Sequence, residues 1–178
     1  MGSNLELVKL VYGSGRIRDE RKGEHMRWRD LEKEPCSVAR TLSIIGDRWT
    51  LLILRDCFMG VRRFEQFESN LGMTRHVLAD RLKKLTSAEV LVKTPYGTAP
   101  VRQEYRLTEK GFDLYPVIMS IVHWGDTHMA DERGAPVIHH HKTCGHHMHG
   151  ELVCSECGEK LEARQVSVDL GPGFQDAV

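Results

Sequence analysis

Two short apolar stripes separated by a glycine constrain the fold of this chain more than any other feature of its sequence. Phe64, Phe67 and Leu71 recur at helical spacing, and Gly72 follows them at once. Thr74 is a good N-cap for a second helix, whose apolar stripe consists of Leu78, Leu82 and Leu85. Two helices joined by a short turn that contains glycine are the pattern of a helix-turn-helix.

Further helices and a hairpin are predicted on both sides of this unit. Residues 38–45 show helical spacing of apolar residues, and residues 49–58 are apolar almost all round. Residues 90–94 and 101–107 are β-prone runs joined by a segment rich in proline and glycine, which indicates a hairpin. The sequence therefore predicts a mainly α-helical winged helix-turn-helix with a small β-hairpin as its wing.

The end of this domain is predicted to be one long helix. Thr108 is expected to cap it, and Pro116 is expected to kink it. The helix carries more apolar surface than one small domain needs, which favours a homodimer interface over packing on its own domain alone.

The second helix of the predicted helix-turn-helix has a polar face that suits DNA. Donor-rich side chains near the start of such a helix match base edges in the major groove, whereas an isolated helix with this pattern is more often simply solvated. The neighbouring wing favours the DNA-binding interpretation. The predicted base-reading residues are Thr74, Arg75, His76 and Lys83, and the predicted phosphate-binding residues are Arg62, Arg63, Lys93 and Arg102.

Charge is distributed unevenly, although 25 Lys and Arg balance 25 Asp and Glu over the whole chain. Residues 62–110 hold ten Lys or Arg against six Asp or Glu, whereas residues 131–178 hold four against eight. Nucleic acid, if bound, is therefore expected on the central segment and not on the tail. The neutral total is no argument against DNA binding.

Several separate motifs resemble those of HxlR-type winged-helix transcriptional regulators. They are the run from Cys36 to Arg55, Arg63-Phe64, Leu78-x-x-Arg81-Leu82-x-x-Leu85, Tyr105 to Gly111, and Trp124-Gly125-Asp126. The resemblance covers roughly residues 35–130. It implies a dimeric, cytoplasmic transcriptional regulator without enzymatic activity. Its two recognition helices would dock on a pseudo-palindromic operator about one helical turn apart. We expect it to act as a repressor.

The same resemblance makes Cys36 a candidate redox sensor, because it stands at the position of a reactive cysteine in the family. A thiol at a helix start has its thiolate stabilised by the helix dipole and the free N–H groups, which raises its reactivity. Here Pro35 precedes the cysteine and Ser37 follows it, whereas the family commonly has proline after the cysteine. A structural thiol near the dimer interface is the alternative. Cys57 lies in an apolar helix and is expected in the core.

The tail contains two pairs of candidate metal ligands, each followed by glycine: His141 with Cys144, and Cys154 with Cys157. Ligands three positions apart on a tight turn can bind one tetrahedral ion, so the tail predicts a zinc-ribbon-like module with structural zinc. A metal-free Cys154–Cys157 redox pair is the alternative. Other histidines compete for the fourth position: His139, His140, His146, His147 and His149.

The predicted domains are an N-terminal extension at 1–34, the winged helix at 35–130 and the zinc-ribbon-like tail at 131–178. Met26 is a possible alternative start within the extension. The turn-forming residues 131–136 mark the second border. The sequence has neither an apolar run of membrane-spanning length nor the pattern of a signal peptide, which favours a cytoplasmic protein.

Two other functions compete with transcriptional regulation. A metalloenzyme would need an open metal site with a nearby general base, and the tail has no His-Glu-x-x-His pattern. A protein-interaction adaptor built on the zinc ribbon would show no salt-sensitive DNA binding. The inducing signal is left open between thiol oxidation and a small apolar or aromatic effector bound near Trp49 and Trp124.

Overall fold

The computed structural model describes residues 28–175 of the chain. Met26, the candidate alternative start, therefore lies outside the described residues. The α-helices are α1 (Ser37–Ile45), α2 (Arg48–Phe58), α3 (Phe64–Leu71), α4 (Arg75–Ser87), α5 (Glu109–Phe112), α6 (Tyr115–Met129) and α7 (Pro172–Gln175). The strands are β1 (Leu91–Tyr96) and β2 (Arg102–Leu107), and 3-10 helices span Trp28–Lys33 and Ala163–Gln165.

Contacts divide the described residues into two units. One unit contains residues 44–151, and the other contains residues 28–43 and 152–175. The hydrophobic core lies in the first unit, from Ile45 to Ile118. Within residues 28–175, no helix is both long enough and apolar enough to cross a membrane.

The predicted helix-turn-helix is confirmed as α3 and α4. Gly72 ends α3 in the left-handed conformation, with φ of 61°, and its N–H donates to the carbonyl of Glu68. Glycine adopts this conformation without the steric cost that a Cβ would add. Thr74 occupies the N-cap position of α4 as predicted, but its side chain makes no capping hydrogen bond.

The two helices are held by one apolar cluster. Leu78, Leu82 and Leu85 on α4 are fully buried, together with Phe67 on α3 and with Ile53 and Leu54 on α2. Burying such a side chain stabilises the fold by about 1.5–3 kcal/mol before entropy is subtracted. α2 is the central helix, because it contacts α3, α4 and α6.

The predicted hairpin is confirmed as an antiparallel pair. Leu91 faces Leu107 at its base, and Tyr96 faces Arg102 at its tip. The first strand continues through Pro95, two residues further than the sequence pattern indicates. A two-stranded sheet has a free edge on each strand, so a residue without an N–H is tolerated there. Helices α3 and α4 followed by this hairpin form a winged helix.

The prediction of a single long helix after Thr108 is wrong. Two helices replace it, α5 and α6, and Asp113 and Leu114 separate them. Pro116 lies in the first turn of α6 and does not kink a helix interior. Proline is tolerated in a first turn because the N–H it lacks would have no partner there. Thr108 does cap α5, since its Oγ1 accepts from the N–H of Gly111 at 3.1 Å.

One stripe of α6 is apolar and exposed. Val117, Ile121 and Trp124 are 40%, 49% and 59% exposed, and helical spacing places them on one side of the helix. The opposite side is buried through Ile118 and Met119. The exposed stripe is the surface from which the sequence predicts a dimer interface.

Gly111 is expected to be irreplaceable, because a Cβ at this position would lie 2.3 Å from the carbonyl oxygen of Val90. We predict that Gly111→Ala lowers the free energy of unfolding by about 2–3 kcal/mol. Gly125→Ala is the matched control, since a Cβ there meets no atom within 4 Å and alanine favours a helix by up to about 1 kcal/mol. Chemical denaturation measures both changes, and equal stability of the two variants would contradict the prediction.

Candidate nucleic-acid interface

The polar face of α4 points to solvent. His76, Ala79, Asp80 and Lys83 are exposed, while the leucine stripe on the opposite side is buried. Three of the four residues predicted to read bases, Thr74, Arg75 and His76, lie at or beside the first turn of α4. The fold therefore presents the start of α4 and this face as a surface that a DNA groove can approach.

Arg75 is oriented by α3. Its Nη1 lies 2.6 Å from Oε2 of Glu68, and its guanidinium lies over the ring of Phe64 at 4.9 Å from the centroid. The side chain remains 65% exposed. An exposed ion pair of this kind contributes about 0–1 kcal/mol, so Arg75 can exchange Glu68 for a DNA acceptor at little cost.

The hairpin adds basic side chains beside α3. The Arg63 guanidinium stacks over the ring of Tyr96 at 4.7 Å, and the Lys93 ammonium lies 5.7 Å from the ring centroid of Tyr105. Arg63 and Arg102 both line a cleft of about 730 Å³ between the start of α3 and the tip of the hairpin. The structure thus brings together two of the four predicted phosphate-binding residues.

The loop before α3 also fixes the wing. The N–H of Tyr105 donates to the carbonyl oxygen of Arg62 at 2.8 Å, while the Arg62 side chain stays exposed. Burial raises the pKa of the Tyr105 phenol, and the nearby Glu65 carboxylate adds to the rise. The phenol of Tyr105 is therefore neutral beside the Lys93 ammonium.

A polar link between α2 and α4 was not predicted from the sequence. Asp47 caps α2 by accepting from the N–H groups of Trp49 and Thr50 at 3.1 and 3.0 Å. The same carboxylate lies 3.1 Å from Nε of Arg81 on α4 and forms an ion pair with it. The Nε–H of Arg81 does not point at the carboxylate, so the pair is not a hydrogen bond.

The first pair of candidate metal ligands lies on a tight hairpin. The N–H of Gly145 donates to the carbonyl of His141 at 2.7 Å, and Gly145 has φ of 74°. Nδ1 of His141 lies 3.4 Å from Sγ of Cys144. The two candidate donor atoms of this pair are therefore side by side.

The second pair lies on a hairpin of the same form. The N–H of Gly158 donates to the carbonyl of Cys154 at 2.9 Å, and Gly158 has φ of 75°. The pKa of the Cys154 thiol is lowered, mainly by the backbone N–H groups of Cys157 and Glu156. Among the residues that the structure describes, no three His, Cys, Asp or Glu side chains converge closely enough to hold a metal ion.

The other two cysteines occupy different environments. Cys36 immediately precedes α1, is half-buried, and its carbonyl accepts from the N–H of Arg40 at 3.0 Å. Cys57 packs against the core as predicted. Burial, with the adjacent Asp56 charge, raises the pKa of the Cys57 thiol to about 12. Cys57 therefore stays an unreactive thiol at neutral pH.

A helix-turn-helix with a basic wing defines a winged-helix DNA-binding protein, and comparison with known families agrees. The model of the HxlR-like helix-turn-helix family matches residues 44–133, half of the chain. The chain belongs to the HxlR-like helix-turn-helix family. Its relatives are transcriptional regulators and not enzymes, so the metalloenzyme alternative does not hold.

Two relatives of this chain are named as HTH-type transcriptional regulators. The uncharacterised HTH-type transcriptional regulator Rv3095 of Mycobacterium tuberculosis is 46% identical over 139 residues, 78% of this chain and 88% of the relative. The uncharacterised regulator YdeP of Bacillus subtilis is 35% identical over 94 residues, 52% of this chain and 73% of the relative.

The solved structures support the same fold. The crystal structure of PA1607, described as a candidate transcription factor, is 33% identical and has a TM-score of 0.71 over 79% of this chain and 98% of its own. The oxidised form of the redox regulator HypR is 28% identical and has a TM-score of 0.50 over 54% of this chain and all of its own.

Proposed function

We propose that this chain is a transcriptional repressor that binds a pseudo-palindromic operator as a homodimer. The exposed start of α4, flanked by the basic cleft between α3 and the hairpin, is the observation that carries the proposal. Thr74, Arg75, His76 and Lys83 read bases from α4. The side chains of Arg62, Arg63, Lys93 and Arg102 bind phosphates and thereby set the position of α4 on the duplex.

The exposed stripe of α6 supports the dimer part of the proposal. This stripe, formed by Val117, Ile121 and Trp124, lies on one side of a 15-residue helix. In a single chain it is exposed to water, which is unfavourable for a contiguous apolar surface. Pairing two copies across a twofold axis buries the stripe of each copy against the other and presents two copies of α4 to successive major grooves.

We predict different effects for the two classes of DNA contact. Lys93→Ala is expected to weaken binding to every sequence alike and to reduce the salt slope by about one, because it removes one phosphate contact. Arg75→Ala is expected to cost about 1–3 kcal/mol on the operator and to relax base preference. The measurement is a salt titration of affinity on the duplex footprinted upstream of the protein's own gene and on a scrambled duplex.

Arg133→Ala is the matched control, since it removes one exposed arginine that lies outside α3, α4 and the hairpin and already pairs with Asp131. It should leave both affinities unchanged. The titration should also give two chains per operator. Equal effects of Lys93→Ala and Arg75→Ala on both duplexes would contradict the assignment, and salt-insensitive or absent DNA binding would favour the adaptor function.

We further propose that the tail binds one structural zinc ion through His141, Cys144, Cys154 and Cys157. The support is chemical: two hairpins share the same glycine conformation, and each carries two donors of the kind that zinc prefers. Two ligands from each of two hairpins would complete a tetrahedral set with no open position. Such a set stabilises structure and does not supply an exchangeable water for catalysis.

The zinc proposal predicts one zinc ion per chain by elemental analysis of the purified protein. Cys157→Ser is expected to lose the metal and to lower the melting temperature by several degrees, because metal binding contributes to the stability of the fold. Cys36→Ser is the control and should retain both zinc and the melting temperature. If chelation leaves the dimer mass and the melting temperature unchanged, the ion has no structural role.

We propose Cys36 as the sensor of a thiol-reactive signal. Its position at the start of α1 supports this, because free N–H groups at a helix start stabilise a thiolate. The likeness to the oxidised form of HypR, a redox regulator, adds support for a redox signal in this fold. A change at Cys36 would then act on DNA binding through the dimer.

The thiol oxidant diamide is predicted to release wild-type protein from its footprint and to leave the Cys36→Ser variant bound. Cys57→Ala is the matched control and should respond like the wild type, since the Cys57 thiol stays protonated. Footprinting before and after the oxidant measures the difference. Release that persists in Cys36→Ser would remove the sensor role.

A further inference from the structure

A cavity of about 920 Å³ lies between α2, α6 and the segment that follows α6. Its size falls in the range of small-molecule sites, about 300–1,000 Å³. Most of its wall is apolar, with Phe58 from α2 and Tyr115, Ile118 and Val122 from α6. Pro136 and Val137 border it on the third side. Neither Trp49 nor Trp124, where the sequence suggested an effector, lines this cavity.

The wall includes an aromatic pair and three methionines. The ring centroids of Phe58 and Tyr115 lie 5.0 Å apart with the planes tilted by 59°. Met59, Met119 and Met129 complete this part of the surface. Ring faces attract cations, and flexible thioethers adapt to aromatic ligands of different shape.

The polar part of the wall carries an excess of negative charge. Asp56 is only 3% exposed, and its charge is already compensated: Oδ1 accepts from Arg55 at 2.7 and 3.0 Å, and Oδ2 accepts from Asn70 at 3.4 Å. Asp126 supplies a second carboxylate. Among the described residues that line the cavity, Arg55 is the only arginine, His139 is the only histidine, and there is no lysine.

We propose that this cavity binds an organic cation with an aromatic body. The aromatic part lies against Phe58 and Tyr115, and the cationic group lies beside Asp126, which Arg55 does not neutralise because it pairs with Asp56. The regulatory role of this site rests on the proposed function, because the site would bind the effector of a transcriptional regulator. Binding itself does not depend on the DNA-binding proposal.

The cavity is placed to influence the DNA-binding surface. Arg55, Asp56 and Phe58 face it from α2, whereas Ile53 and Leu54 of the same helix pack in the core with α4. The Asp56–Asn70 contact joins α2 to the last turn of α3. A ligand that separates α2 from α6 therefore acts on the helix that supports both α3 and α4.

Two dyes that share a xanthene core test the proposal. Rhodamine 6G is a cation and fluorescein is an anion, so the pair separates charge recognition from shape. Fluorescence anisotropy with the full-length protein, in the absence of DNA, is expected to show saturable binding of one rhodamine 6G per chain. Fluorescein is expected to bind at least about tenfold more weakly, because its charge opposes that of Asp126.

Three variants locate the dye. Asp126→Asn is expected to weaken rhodamine 6G binding roughly five- to tenfold, and Asp113→Asn, which removes an equal charge from a residue outside the cavity wall, is the matched control with no effect. Ala130→Trp fills the mouth of the cavity from an exposed position and should abolish binding without unfolding the protein.

Equal affinity for both dyes, or unchanged rhodamine 6G affinity in both Asp126→Asn and Ala130→Trp, would overturn the site. A separate measurement adds rhodamine 6G to the protein–DNA complex. Release of Asp126→Asn is expected to need roughly five- to tenfold more dye than release of the wild type. If the dye binds but the protein stays on DNA, the effector role is wrong and the binding site stands. If the protein binds the dye but binds no DNA, the proposed function is wrong and the binding site stands.

Discussion

The burial of one face of α4 is the constraint on which the rest of the structure depends. Leu78, Leu82 and Leu85 lose all contact with water, and only the opposite face of the helix is then left for solvent or DNA. The same burial fixes α4 against the central helix α2. It also carries the chain directly into Val90 and Leu91, so the hairpin begins from a buried base. The apolar stripe thus determines both which side chains can read DNA and where the wing stands beside them.

Regular periodicity made most of this fold predictable from the sequence. The α3–Gly72–α4 unit and the hairpin follow from local patterns, because each pattern allows only one face to be buried. The break between α5 and α6 was missed because Pro116 is compatible with a kink and with a helix start, and only packing decides between them. The length of β1 was missed for a related reason: Pro95 is excluded from a central strand but not from an edge.

Individual positions in the candidate interface were predictable, but their contacts were not. The spacing in α4 placed His76 and Lys83 on the exposed face, whereas the pairing of Arg75 with Glu68 depends on the angle between α3 and α4. Stacking of Arg63 on Tyr96 likewise needs the twist of the hairpin. The cavity beside α6 was invisible in the sequence, because its wall comes from α2, α6 and the segment after α6, which are far apart in the chain.

Helix α2 connects these features because it packs against α3, α4 and α6. Ile53 and Leu54 pack in the core with α3 and α4, Asp47 at its start lies beside Arg81, and Asp56 near its end holds Asn70. A close-packed interior moves by discrete rearrangement and not by gradual deformation. A movement of α2 itself would therefore change its packing against both helices of the helix-turn-helix. In this geometry, α6 and α4 are linked through one shared neighbour, α2.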